Sequence, residues 1–586
     1  MTNLWFYSPL KNEKESQKLA NELNISPVLA RLLVQRGVTT FEEAKKFFRP
    51  RLEDLHDPFL MVDMDKAVER LSSALSSKEK ILIYGDYDVD GTTAVALVYL
   101  FLINYCASSE IDYYIPNRYT EGYGISYDGI DYAADNGFSL IIALDCGIKA
   151  VEKVEYAHQK GVDVIICDHH TPDEVLPDAV AVLDPKREDS TYPYNELSGC
   201  GVGFKLMHAF AMKHPIEGIE KQLFRLLDLL AVSIASDIVP ITGENRVLAY
   251  YGLKQINEKP TLGLKSIIEV CELADKPLSI SDIVFKIGPR INASGRMENG
   301  KKVVELLISK DIDFARERSA EINGYNEDRK SLDKSITEEA IQLVKNNEEY
   351  QGKKSIVVFN SNWGDQDEDE RRDKGVIGIV ASRLSEKYYR PTVVLTQSNG
   401  LATGSARSVP GFDLYKAIDS CRHLLENFGG HMYAAGLSMK VENVEEFKRC
   451  FEQYVSENIT EEQQCPKIEI DADLELREID KKFFRVLSQF SPFGPGNMKP
   501  VFCTHQVHDC GYSRRVGKEL KHLKLEVSDD SEYRMNGIAF GKGDVYEQIK
   551  YNKLLSPRFS ICYTLEENVF NGTSTVQLMV RDIKLD

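Results

Sequence analysis

Four short apolar runs constrain this chain most. They read ILIYG from Ile81, SLIIALD from Ser139, VDVIICD from Val162 and AVAVLD from Ala179. Each is apolar almost throughout rather than alternating, and each ends on a polar turn. Helical patterns lie between them. A strand covered on both faces needs such a run, and strands alternating with helices give a parallel sheet. The expected fold class is therefore α/β.

The turns that close these runs are acidic. GDYDVDG places Asp86, Asp88 and Asp90 at every second position, Asp145 ends the second run, and Asp168, His169 and His170 end the third. Asp237 follows the apolar stretch LLDLLAVSIAS, which reads as a buried helix. Alternate side chains of an extended segment share a face, so the first three aspartates can aim at one point. Like charges at that spacing repel unless cations, protons or donors offset them. Ligands of open parallel sheets bind beyond the carboxyl ends of the strands. Carboxylate with imidazole favours Mn2+ or Mg2+ over calcium or a thiolate zinc site.

The remaining chain divides by pattern. Residues 1–60 form an N-terminal helical segment, 61–310 the first α/β domain and 311–348 a long charged connecting helix. Residues 349–460 form a smaller α/β domain with strands KSIVVF and PTVVL, and 461–586 alternate as in a small β-barrel. A chain of 586 residues suits several domains. The net charge of −19 opposes all-over nucleic-acid binding but leaves room for a local basic groove. Eleven scattered cysteines without a CxxC pair indicate neither a zinc ribbon nor a disulfide framework, and fit a reducing cytoplasm. No apolar run is long enough to span a bilayer, and the start lacks the pattern of a secretory signal. The acidic stretch from Gly364 to Glu370 reads as a solvated insertion.

DYDVDG, ALDCG, CDHH and SIASDIVP resemble the four motifs of the DHH phosphoesterase family. GSARSVPGFDL and FGGHMYAAG resemble its smaller phosphate-binding domain, DHHA1. With IPNRYTEGYG and GPRINASGRM, nearly the whole chain resembles the family's single-strand-specific 5′→3′ DNA exonucleases, whose tail is an OB-fold. The resemblance implies two divalent cations, Mn2+ or Mg2+, held by Asp86, Asp88, Asp90, Asp145, His169, His170 and Asp237, with Asp145 bridging. It implies that Asp168 orients a histidine, and that His170 and Arg290 act on the scissile phosphate. Ser405 and Arg407, joined by Arg118, would anchor a 5′-terminal phosphate, with Gly429, Gly430 and His431 as a turn facing it. The basic run Arg514, Arg515, Lys518, Lys521 and Lys524 would line the single strand.

The resemblance further implies release of 5′-mononucleotides in DNA repair and recombination by a cytoplasmic monomer. Its partners would be single-stranded DNA, a single-strand-binding protein and a RecQ-type helicase. Two departures stand out. The relatives' histidine after Trp363 is absent, with an insertion at 364–373, and Asp184 replaces a frequent asparagine. The alternatives are a DHH phosphodiesterase of short oligonucleotides or cyclic dinucleotides, and a scaffold that binds DNA or replication proteins without catalysis.

Overall fold

The structure is a computed structural model, and it describes residues 3–9, 12–105, 110–363, 374–398, 400–550, 557–570 and 572–585. The insertion at 364–373 lies outside the described residues.

The four apolar runs form strands Lys80–Gly85, Phe138–Leu144, Asp163–Cys167 and Ala181–Leu183, with Ile111–Tyr114 on the outer edge. All five are parallel, in the order Ile111–Tyr114, Lys80–Gly85, Phe138–Leu144, Asp163–Cys167, Ala181–Leu183. Their register carries the site. Gly85 pairs with Leu144, Leu144 with Cys167 and Cys167 with Leu183. The next residue of each strand is therefore Asp86, Asp145, Asp168 or Asp184. Four carboxylates stand in one row at the carboxyl edge, continued by Asp145 N–H to Cys167 O and Asp168 N–H to Leu183 O.

Helix Val89–Tyr105 is apolar all round, as a helix buried on every side must be. It packs among the sheet and helices Gly199–Lys213 and Leu227–Ser236. Beneath it Lys205 and Glu244 form a wholly buried ion pair at 2.5 Å. Tyr192 Oη donates to Glu244 Oε2 at 2.6 Å, and Lys205 Nζ also donates to His56 O at 2.9 Å.

Helix Ile312–Asn346 is capped by Asp311 and, at 35 residues, spans about 52 Å. It leads into a mixed sheet ordered Leu425–Gly430, Ala434–Lys440, Leu401–Arg407, Thr392–Ser398, Ile356–Asn360. Helices Lys374–Tyr388 and Val444–Asn458 cover that sheet. In the C-terminal domain Phe502–Asp509 pairs with both Phe559–Phe570 and His522–Ser528, which closes the sheet into a barrel.

The N-terminal segment differs from the all-helical expectation. Leu4–Tyr7 is a strand, paired in parallel with Lys467–Ile470. Its apolar residues gain a sheet edge at the far end of the chain, a context that overrides local pattern. Helices Glu13–Leu23, Pro27–Gln35 and Phe41–Phe48 pack against the barrel through Leu19, Leu32, Phe483 and Phe490. The buried Arg246 guanidinium joins both ends to the first domain, donating to Phe47 O and to Phe490 O, each at 2.9 Å. Among the described residues, no helix is long and apolar enough to cross a membrane.

Candidate metal centre and phosphate cavity

The row of carboxylates meets an imidazole. His169 Nε2 lies 3.2 Å from Asp145 Oδ1, 3.6 Å from Asp237 Oδ2 and 3.9 Å from Asp90 Oδ2. Two groups of ligand atoms, Asp145–His169–His170 and Asp90–His169–Asp237, each fall within 4.8 Å. The ligand atoms of Asp86 and Asp88 lie outside both groups, although the charge of Asp88 reaches Asp145 and Asp237.

Each side chain is held by its element. Asp90 opens the buried helix and accepts the N–H groups of Gly199 and Cys200 at 2.7 and 2.8 Å, the start of another helix, plus Ser233 Oγ at 2.7 Å. Asp145 sits at φ +59°, an uncommon conformation for a residue with a side chain. Gly199 permits it, because a Cβ there would come 2.5 Å from Asp145 Cβ. Asp237 ends a helix, where the dipole disfavours a carboxylate. Asp168 accepts the His170 ring Nδ1–H at 2.7 Å and the Ile148 N–H at 2.9 Å.

The electrostatics call for a cation. Burial and then the charge of Asp88 push Asp86 up to about 7. Burial, Asp90 and Asp88 push Asp237 up to about 8, and the same influences raise Asp145 well above the carboxylate range. Burial lowers His169, which keeps the imidazole neutral and able to donate a lone pair. Asp86 Oδ1, Asp145 Oδ1 and His169 Nε2 are buried without a hydrogen-bond partner in the structure. Such groups are costly unless something ligates them. Oxygen-rich donors with one or two imidazoles fit Mn2+ or Mg2+.

Asp184 completes the row. Its Oδ1 accepts the Lys186 N–H at 2.7 Å, and its Oδ2 is buried without a hydrogen-bond partner. Burial raises it to about 7.

Two cavities accompany the centre, the first lined by its histidines and the second linked to it through the charge of Arg118 on Asp86. One, of roughly 340 Å3, is lined by Tyr123, Lys149, Lys153, His170, Lys186 and His431. His431 thus reaches across from the second domain. The other, of roughly 430 Å3, lies between the domains and is lined by Arg118, Tyr119, Arg296, Gly378, Ser405 and Arg407. Arg407 Nη1 donates to Ser405 Oγ at 2.8 Å, and Arg118 stacks over Tyr87 at 5.0 Å. Among the described residues neither Arg118 nor Arg407 forms an ion pair with a carboxylate. Burial and the charge of Arg118 lower Arg296 to about 10, as expected where cations crowd together. Gly378 leaves the space open, since a Cβ there would lie 3.0 Å from Arg407 Nη2.

Some expectations are placed differently. The Arg290 guanidinium donates to Asn323 Oδ1 at 2.9 Å and Lys286 O at 2.8 Å, fastening its helix to the long one. Arg296, further along the same helix, lines the cavity between the domains. Gly429 and Gly430 are not turn residues but end strand Leu425–Gly430, and the turn begins at His431. In the barrel Arg515 and Lys521 face Glu547 and Glu519 at 3.6 and 2.5 Å. Arg514, Lys518 and Lys524 form no ion pair among the described residues. Tyr123 and the three lysines beside His170 went unnoticed in the sequence, where only their nearness to the DHH-like motifs could have marked them.

Comparison with known proteins follows the same division. Residues 80–234 match the DHH family N-terminal domain, 352–457 the DHHA1 domain and 470–582 the RecJ OB domain. The fold and the aspartate–histidine cluster define a protein of the DHH class. A curated relative, the single-stranded-DNA-specific exonuclease RecJ of Bacillus subtilis (strain 168), is 37% identical over 97% of this chain and 70% of its own. The chain belongs to the RecJ family. RecJ from Thermus thermophilus, in complex with Mn2+, shares the fold, with TM-score 0.80 and 24% identity over 99% of this chain and 79% of that one. A crystal structure of exonuclease RecJ bound to manganese gives TM-score 0.58 and 27% identity over 70% of this chain and 98% of that one.

Proposed function

We propose that this protein is a single-stranded-DNA-specific exonuclease that hydrolyses phosphodiester bonds from the 5′ end and releases 5′-mononucleotides. One observation carries the reading: a carboxylate–imidazole cluster in the first domain is accompanied by an arginine-walled cavity lined from both domains, whose Arg118 acts by its charge on Asp86 of the acidic row. The family's names and the manganese-bound relative support it.

Asp88, Asp90, Asp145, His169, His170 and Asp237 would hold two divalent cations, Mn2+ or Mg2+, with Asp86 in support. When bound, these cations supply an activated water and neutralise charge at the phosphate. Asp168 holds the His170 ring by its Nδ1, which leaves Nε2 as the atom that would ligate a cation or meet the scissile phosphate. Arg118, Arg296, Ser405 and Arg407 take the 5′-terminal phosphate, since guanidinium groups pair bidentately with its oxygens. An anchored 5′ end sets both direction and register. A duplex end would have to melt first, which favours single strands. The barrel cations Arg514, Lys518 and Lys524 follow the backbone further out.

The protein acts as a cytoplasmic monomer in repair and recombination, beside a single-strand-binding protein and a RecQ-type helicase. The test uses single-stranded DNA with a 5′ phosphate and a 3′ label, in Mn2+, with Asp145→Ala in parallel. Shortening from the 5′ end, absent in the variant and weak on duplex, is the expected result. Tight binding without cleavage by the wild type would replace this reading with a scaffold. Cleavage confined to dinucleotides or cyclic dinucleotides would replace the substrate.

A further inference from the structure

A second cluster of ligating atoms lies in the C-terminal barrel. In the parallel pair of strands Ala472–Asp473 and Phe502–Asp509, Asp473 stands directly beside Cys503. His505 follows two positions on, on the same face of its strand. Thr504, between them, turns the other way and donates to Leu474 O. A bulge follows, with Gln506 at φ +55° and the register shifting between Thr504 and Val507. Bulges of this kind re-aim a side chain next to a site.

The result is convergence. His505 Nε2 lies 3.3 Å from Asp473 Oδ1 and 3.5 Å from Cys503 Sγ. The other ring nitrogen, Nδ1, is 3.1 Å from Ser560 Oγ, a hydroxyl that can accept an Nδ1–H and so permit the tautomer with a lone pair on Nε2. We propose that Asp473, Cys503 and His505 form a binding site for a zinc-type divalent cation, separate from the catalytic centre. A tetrahedral zinc with nitrogen or oxygen at ~2.0 Å and sulfur at ~2.3 Å sets its ligand atoms roughly 3.3–3.8 Å apart. The two separations from His505 Nε2 match that frame, and all three ligand atoms lie within 4.8 Å of one another.

The surroundings agree. A cavity of roughly 530 Å3 opens beside the three residues; on its wall Arg477 pairs with Glu475 and Asp530 pairs with Arg558, while Glu478 and Asp529 add further negative charge. Three protein ligands leave the fourth position to water, with Tyr7 hydrogen-bonded to the ligand Asp473. The Tyr7 hydroxyl is 2.6 Å from Asp473 Oδ1 and 3.1 Å from His505 Nε2. Tyr7 ends the N-terminal strand, so the cation would fasten the first residues of the chain to the barrel. Binding displaces the Cys503 thiol proton to solvent.

The test titrates the chelator-treated full chain with Co2+ and records its absorbance. A thiolate-to-cobalt charge-transfer band that rises to saturation as Co2+ is added, and is bleached by Zn2+, is expected. The catalytic centre offers Co2+ only oxygen and nitrogen, so Asp145→Ala retains the band. His505→Ala, at an exposed ring, loses it, and Cys503→Ala does the same. Should Cys503→Ala fail to fold, His505→Ala and Asp473→Ala still decide. Absence of the band in the wild type, its survival in His505→Ala or its loss in Asp145→Ala would overturn the proposal and leave a metal-free hydrogen-bonded cluster.

Discussion

Asp168 Oδ1 accepts the His170 ring Nδ1–H at 2.7 Å, and the same carboxylate collects the backbone N–H groups of Ile148, His169 and His170. Against the desolvation of burial, the hydrogen bond and charge of His170 hold Asp168 below the usual carboxylate range. Against its own burial, Asp168 raises His170. The pair fixes which nitrogen faces the cavity. Asp168→Ala is expected to lower kcat roughly 10–100-fold, the usual effect of removing an orienting partner. Affinity for single-stranded DNA, read under non-cleaving conditions in Ca2+, should change little. An equal loss in affinity and rate would show that Asp168 supports the fold rather than the ring.

Arg118 and Arg407 reach one cavity from different domains. If they take a 5′ phosphate, each loss should fall on KM and on the preference for phosphorylated over hydroxyl ends. Arg407→Ala should weaken the phosphorylated substrate about 10–100-fold, corresponding to ~1.5–3 kcal/mol for a charged hydrogen bond. Arg407→Lys should not restore it, because an ammonium lacks the planar fork. An unchanged ratio between the two substrates would remove the cavity from the mechanism.

The sheet and its acidic edge were legible because buried parallel strands write themselves as apolar runs. Asp86, Asp145 and Asp168 each follow such a run, so the run ends already pointed to them, whereas Asp184, read only as a departure from asparagine, joins the row through strand register. The choice between Arg290 and Arg296 was not legible. Six residues on a helix turn the side chain through about 240°, and which face meets the second domain depends on packing that GPRINASGR does not encode. The strand Leu4–Tyr7 was hidden likewise: its partner Lys467–Ile470 lies at the far end of the chain. The barrel cluster escaped because Asp473, Cys503 and His505 become neighbours only through strand pairing and a bulge.

Lys205 and Glu244 are both buried at the centre of the first domain, where Glu244 also binds Tyr192 Oη and the His56 N–H. Lys205→Met removes the cation but leaves the carboxylate desolvated. The expected loss is about 3–5 kcal/mol, the usual penalty for stranding one member of a buried pair. Urea denaturation of the purified protein measures it. The double variant Lys205→Met, Glu244→Gln should recover much of the loss, since no charge is then left unpaired. A single variant as stable as the wild type would mean that water or a shifted side chain reaches Glu244.

Removing the metal should expose the carboxylate row through pH. Asp86 and Asp237 are raised from an ordinary value of 3.8 to about 7 and about 8. An acid raised in the folded state adds stability that is fully present below the unfolded value and lost as pH rises through the folded value. In EDTA, unfolding free energy should therefore fall across roughly pH 4 to pH 8, at up to about 1.4 kcal/mol per pH unit for each titrating group. Mn2+ should reverse the slope. Its ligands must be deprotonated to bind, so the metal competes with protons at low pH and is unopposed at high pH. At a thousandfold excess over its dissociation constant, Mn2+ adds about 4 kcal/mol. Urea midpoints in EDTA and in Mn2+, at about pH 5.5 and about pH 8, give the four numbers needed. A stabilisation by Mn2+ that is larger at the higher pH is the expected outcome. An EDTA curve flat in pH, or a Mn2+ effect no larger at the higher pH, would mean that the row is neutralised by something other than protons and metal.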